Sequence, residues 1–170
     1  MGLRDRLHGQ EAGHRFVLRQ KVMSIGDDSW IEDEAGDKVY KVNGKALHVR
    51  RTLVLEDTTG AEVAKIQERV VTVRDKMQIE RDVHSATVHK ALVGIRERYK
   101  IDVDGGDDLR AEGNFVDHEY HIDHDGHTVA TVSKKWFRAR DTYGIELVDG
   151  QDDVLLLCVA VCIDAMAHDH

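Results

Sequence analysis

Ten consecutive apolar residues, Val154 to Ile163, constrain this chain more than any other feature of it. The run reads Val-Leu-Leu-Leu-Cys-Val-Ala-Val-Cys-Ile, follows Asp152 and Asp153, and continues as Asp164-Ala-Met-Ala-His168. Acidic residues just ahead of such a run suit the start of a helix, where a carboxylate accepts from unpaired backbone N–H groups and meets the positive end of the helix dipole. The length of the run and its Ala-Met-Ala continuation favour a helix over about 152–167 against the rival reading, a fully buried strand. Ten residues fall short of the ~20 needed to cross a bilayer. A helix that is apolar on every side must be covered on every side, and the rest of the chain has to supply that cover.

The rest of the chain reads as strands. Four segments set an Asp ahead of a Gly between alternating apolar residues: Ile31 to Tyr40 around Asp33 and Gly36, Leu55 to Ile66 around Asp57 and Gly60, Ile101 to Leu109 around Asp104 and Gly105, and Ile122 to Val132 around Asp125 and Gly126. Each predicts a hairpin, since Gly accepts the positive φ of a tight turn and Asp bonds nearby backbone amides. Between the turns the period is two: Leu47, Val49, Leu53 and Leu55 share a parity, and Tyr120 and Ile122 alternate with Glu119, His121 and Asp123. Further strands are expected at Arg15 to Gln20, Val39 to Val42, Glu62 to Gln67, Val70 to Arg74, Met77 to Glu80, Ser85 to His89, Arg98 to Val103, Thr128 to Lys134 and Thr142 to Val148. Roughly a dozen strands and one apolar helix predict a β-rich α+β fold in which a closed antiparallel barrel wraps the C-terminal helix.

At 170 residues, with no Pro and no Gly/Ser linker, the chain fits one domain over 14–170 behind a flexible segment at 1–13. That lead segment carries Arg4, Asp5, Arg6 and Glu11 and no apolar stretch, so the expectation is a cytoplasmic protein without a secretory signal. The net charge of -8 opposes nucleic acid and anionic membranes unless cations gather locally. Asp outnumbers Glu nearly two to one, which suits a high-salt cytoplasm and an ordinary acidic protein alike. Cys158 and Cys162, four apart in the apolar run, read as reduced core thiols.

The order of the pieces also resembles a known family. Leu18-Arg-Gln-Lys-Val-Met-Ser-Ile-Gly-Asp27, Ile31-Glu-Asp-Glu-Ala-Gly36, Val39-Tyr-Lys-Val-Asn-Gly-Lys45 and Leu55-Glu-Asp-Thr-Thr-Gly60 are similar to the opening of the LURP-one-related family. Ile122-Asp-His-Asp-Gly126, Val132-Ser-Lys-Lys-Trp136, Asp141-Thr-Tyr143 and the terminal helix continue the likeness, so that it covers roughly His14 to Ala167. The resemblance implies a twelve-stranded barrel threaded by its C-terminal helix, as in the tubby C-terminal domain and phospholipid scramblases. By analogy of fold it also implies contact with phosphoinositide headgroups.

Two clusters invite a function. His118, His121, His124 and His127 recur at intervals of three among Asp117, Glu119, Asp123 and Asp125, and imidazole with carboxylate suits Zn, Ni or Cu. On a strand, His118 and His124 would face one side and His121 the other, so two or three converge at most; the plain alternative is an exposed polar hairpin. The second cluster is Lys134, Lys135, Arg138 and Arg140 around Trp136 and Phe137, cations for phosphate with an aromatic suited to a membrane interface. Read as a strand, it splits its charges between two faces, and the plain alternative is an exposed strand with one aromatic buried. Lys41, Lys45, Arg50, Arg51, Arg96, Arg98 and Lys100 would enlarge the patch if the barrel gathered them.

Enzyme signatures are missing: there is no Gly-x-Ser-x-Gly, P-loop, dinucleotide fingerprint or His-Glu-x-x-His, and Ser24, Ser29, Ser85 and Ser133 lie in no activating context. The expectation is a non-catalytic binding or scaffold module without a cofactor. Its expected partner is an anionic lipid headgroup or another protein and not nucleic acid; the alternative is a metal-binding protein using the His118 to His127 hairpin.

Overall fold

The structure, a computed structural model, describes residues 13–19, 29–45, 51–69, 76–93, 96–138 and 142–168, with backbone alone at 19, 45, 92, 93 and 96. Twelve strands precede one helix: β1 (Arg15–Arg19), β2 (Ser29–Glu32), β3 (Lys38–Lys45), β4 (Thr52–Asp57), β5 (Glu62–Arg69), β6 (Lys76–Glu80), β7 (Ala86–Val93), β8 (Arg96–Val103), β9 (Leu109–Asn114), β10 (Glu119–His124), β11 (His127–Ser133), β12 (Thr142–Leu147) and α1 (Asp153–Ala167). Each strand pairs antiparallel with its neighbours in the chain, and β12 closes on β1 from Arg15↔Glu146 to Arg19↔Thr142. The strand expected at 70–74 lies outside the described residues, as do Leu47 and Val49.

All four Asp-Gly hairpins form. In the turn between β4 and β5, Asp57 Oδ1 accepts from the Thr59 N–H at 2.9 Å, the Thr59 hydroxyl at 2.6 Å and the Ala61 N–H at 3.0 Å. The Thr59 hydroxyl and these amides hold the Asp57 carboxyl below its ordinary range. Gly60 takes φ 84, a value an L side chain resists. Asp33 repeats the device toward Ala35 and Asp37.

The barrel closes on α1. Leu155 to Met166 is buried without a break, and the inward residues of the strands, among them Leu18, Ile31, Ile79, Ile101, Ile122 and Ile145, are fully enclosed against it. Asp152 is the N-cap and accepts from the Leu155 N–H at 3.1 Å. Arg81, between β6 and β7, holds the Asp152 carboxylate from its other side, with one contact at 2.9 Å. Burial pushes that carboxyl up, and the Arg81 and Leu155 bonds outweigh it, so the group ionises below its ordinary range. Cys158 and Cys162 are free and buried. No helix among the described residues is long and apolar enough to cross a membrane.

Because the strands alternate in direction, their ends form two rims. The rim at the start of α1 carries the Asp-Gly turns and is strongly acidic, with Asp33, Asp57, Asp104, Asp107, Asp125 and Asp149. The rim at the end of α1 carries the β9–β10 turn, the segment that leaves β11, and His168.

Candidate functional site

The segment after β11 is a turn and not the strand that its sequence suggested. Glu119, opposite Ser133 across the β10–β11 ladder, accepts from the Ser133 hydroxyl at 2.9 Å and from the Lys134 N–H at 3.1 Å. Ser133 Oγ in turn accepts the Lys135 N–H at 3.1 Å, and the Phe137 N–H donates to the Lys134 carbonyl at 3.1 Å. These bonds use the backbone that a continued strand would offer to a neighbour, and the chain folds back. The charges therefore do not alternate between two faces of a sheet. Lys135 and Arg138 are exposed, and among the described residues neither meets a carboxylate.

Trp136 and Phe137 lie over β12 at Gly144, where an added Cβ would come within 2.8 Å of both rings. A side chain at that position would evict them, so the glycine is a seat for the turn. The Arg15 guanidinium sits 4.7 Å from the centre of the Trp136 ring while its Nε donates to Glu146 at 3.2 Å. The indole keeps 37% of its surface exposed. The turn thus sets an amphipathic ring on the wall, flanked in the chain by the exposed Lys135 and Arg138.

The other cations do not gather here. Arg98 and Lys100 stand on β8, three strands from β11, and pair with Glu112 at 3.1 Å and Asp102 at 3.4 Å. Lys41, on β3, lies 6.0 Å from the ring centre of Trp30. Arg51 begins β4 on the same rim as the turn. Arg50 and Arg140 and the side chains of Lys45 and Arg96 lie outside the described residues, as does Ser24.

The four histidines at intervals of three do not converge, which corrects the expected hairpin cluster. His118 is not in the β10–β11 hairpin: it ends the β9–β10 turn at φ 52, with its side chain 1% exposed inside the barrel end. There its Nε2 meets Asp164 of α1, its ring stacks on Tyr143 at 4.3 Å, and its Nδ1 has no partner among the described residues. His121 stays on the wall beside Asp123 at 3.3 Å, His124 reaches Asp107 at 3.2 Å, and His127 is exposed at the hairpin tip. The intervals of three are a product of one turn and one hairpin in succession.

Asp164 and His168 escaped attention in the sequence. The available signal was Asp164 itself: a carboxylate that follows ten apolar residues on an enclosed helix has to find a buried partner. Only the fold reveals that the partner is His118, 46 residues away.

Among the described residues, grooves of about 520 and 620 Å³ lie on the outer wall around β8 to β10. The first is lined by Glu97, Glu112, Asn114, Val116 and His121, the second mainly by carboxylates with Lys100 and Arg110.

Comparison with known proteins agrees with this architecture. The LURP-one-related family model matches residues 14–164. The uncharacterized protein YxjI of Bacillus subtilis (strain 168) is 20% identical over 154 residues, spanning 91% of this chain and 94% of its own length. An X-ray structure of an Arabidopsis thaliana protein superposes with a TM-score of 0.67 at 16% identity, covering 92% of this chain and 93% of that one, a likeness of fold.

Proposed function

This chain belongs to the LURP-one-related family, and on that footing we propose that it is a non-catalytic cytoplasmic binding module whose turn at Lys134 to Arg138 contacts anionic phospholipid headgroups. One observation carries the reading: Trp136 is seated on Gly144 and under Arg15, partly exposed, between Lys135 and Arg138, exposed cations that meet no carboxylate among the described residues. The distribution of charge supports it. The acidic turns that dominate the net charge crowd the opposite rim, so a membrane approached by this end meets the weakest repulsion. The interior supports it as well, because α1 occupies the place where a barrel would otherwise hold a small ligand.

Co-sedimentation of the full chain with vesicles tests the proposal. Vesicles of phosphatidylcholine with a few per cent phosphatidylinositol bisphosphate should retain the protein at low salt and release it as salt rises. Lys135→Glu with Arg138→Glu should abolish retention, and Gly144→Val should weaken it by displacing Trp136 while leaving both cations in place. Equal retention of all three proteins, or none by the unaltered chain, would end the reading.

A further inference from the structure

At the end of α1 three groups meet that no part of the lipid reading uses. His118 and Asp164 are 1% and 2% exposed, and His168 closes the site from the rim with a side chain 29% exposed. The ligand atoms of these three residues lie within 4.8 Å of one another, and among the described residues no other group of three His, Cys, Asp or Glu does so. The two imidazoles stack at 4.9 Å and 15°, with nitrogens of both aimed at the same carboxylate: His118 Nε2 touches Asp164 Oδ1, and His168 Nδ1 is 3.2 Å from it.

The proton count makes this arrangement informative. His168 Nε2 lies 3.2 Å from the Val116 carbonyl, while its Nδ1 faces both the Asp164 carboxylate and the Asp164 carbonyl, the latter at 3.0 Å. All of these oxygens are acceptors, and a neutral imidazole has one N–H to give. If Nε2 donates to Val116, a lone pair on Nδ1 points at a buried carboxylate. A cation between them turns that clash into two bonds. Metal-bound histidines commonly donate their second N–H to a backbone carbonyl in this way.

We propose that His118 Nε2, Asp164 and His168 Nδ1 form a site for a divalent transition ion of the zinc class, with Val116 orienting His168 and a water as the fourth ligand. Two imidazoles and a carboxylate are a recurrent donor set for such ions, at about 2.0 to 2.2 Å from each ligand. The 3.2 Å between His168 Nδ1 and Asp164 falls just short of the edge, about 3.3 Å, of the smallest such tetrahedron. The His118 contact opens to the same width when the ion enters. The bound ion ties the last turn of α1 to the β9–β10 turn, so its role is to lock the helix into the barrel.

The test uses the untagged full chain, freed of metal by a chelator and titrated with Zn²⁺, and with Co²⁺ as a spectroscopic probe. One equivalent should bind saturably, raise the thermal midpoint, give Co²⁺ the visible bands of a four-coordinate ion, and bind more weakly in acid, where protons compete with the ion for its ligands. His168→Ala, a change at the rim, should weaken binding at least about tenfold and remove the thermal shift. A triple variant with His121, His124 and His127 replaced by Ala should bind like the parent. No saturable binding by the parent, parental affinity in His168→Ala, or loss of binding in the triple variant alone would each overturn the site. Asp164→Asn adds a check where it folds, and His168→Ala decides the matter where it does not.

Discussion

Single residues in this protein are set by what surrounds them, and the thiols illustrate it. Burial pushes Cys158 up to about 12 and Cys162 well above its ordinary value. Burial first, then the charge of Asp164, raises Tyr143 and Tyr120. These groups ionise more readily in the unfolded chain, so between about 9 and 12 the unfolded state has lost protons that the fold keeps, and stability falls as pH rises through that window. A thiol reagent at pH 8 should therefore leave both cysteines unmodified until denaturant is added, and urea midpoints should decline above about pH 9. Asp152 works in the opposite direction. Its carboxyl ionises below the ordinary value, so its contribution is present above about pH 4 and lost as pH falls through the folded value. Asp152→Ala should cost about 1 kcal/mol in urea unfolding at neutral pH and make the protein less sensitive to acid, whereas Asp152→Asn should keep most of the cap.

At the scale of elements, the sequence was legible wherever a local rule decided the outcome. Asp33, Asp57, Asp104 and Asp125 with their glycines formed the hairpins their spacing called for, and the apolar run formed the helix from its Asp152 cap. Two elements obeyed partners distant in sequence and were not legible. The segment at Lys134 has the composition of a strand, but the Glu119 carboxylate captures its backbone and the smooth wall at Gly144 takes its rings. His118 looked like the first member of a histidine series and is instead the interior partner of Asp164. The helix is the element on which the rest depends. Leu156 is 2% exposed; Leu156→Ala should cost about 2 to 5 kcal/mol, and Leu156→Asp should abolish folding because its charge would have no partner. A soluble Leu156→Asp protein with native circular dichroism would show that α1 is not enclosed.

For the whole molecule, closure of the barrel around α1 decides which surfaces a partner could meet. The interior is filled by Leu155 to Met166, which leaves the wall and the rims. The rims differ in charge because tight turns recruit Asp for its bonds to backbone amides, and the meander puts every Asp-Gly turn at one end. Among the described residues, the opposite end carries Lys135, Trp136 and Arg138 and the His118, Asp164 and His168 cluster. Native-state hydrogen exchange of the full chain, with and without phosphoinositide vesicles, tests this division most directly. The account predicts that α1 amides exchange only through global unfolding in both conditions, and that vesicles add protection at Ser133 to Arg138 and nowhere on the acidic rim. Exchange of α1 amides by local opening, or vesicle protection confined to the Asp-Gly turns, would contradict it.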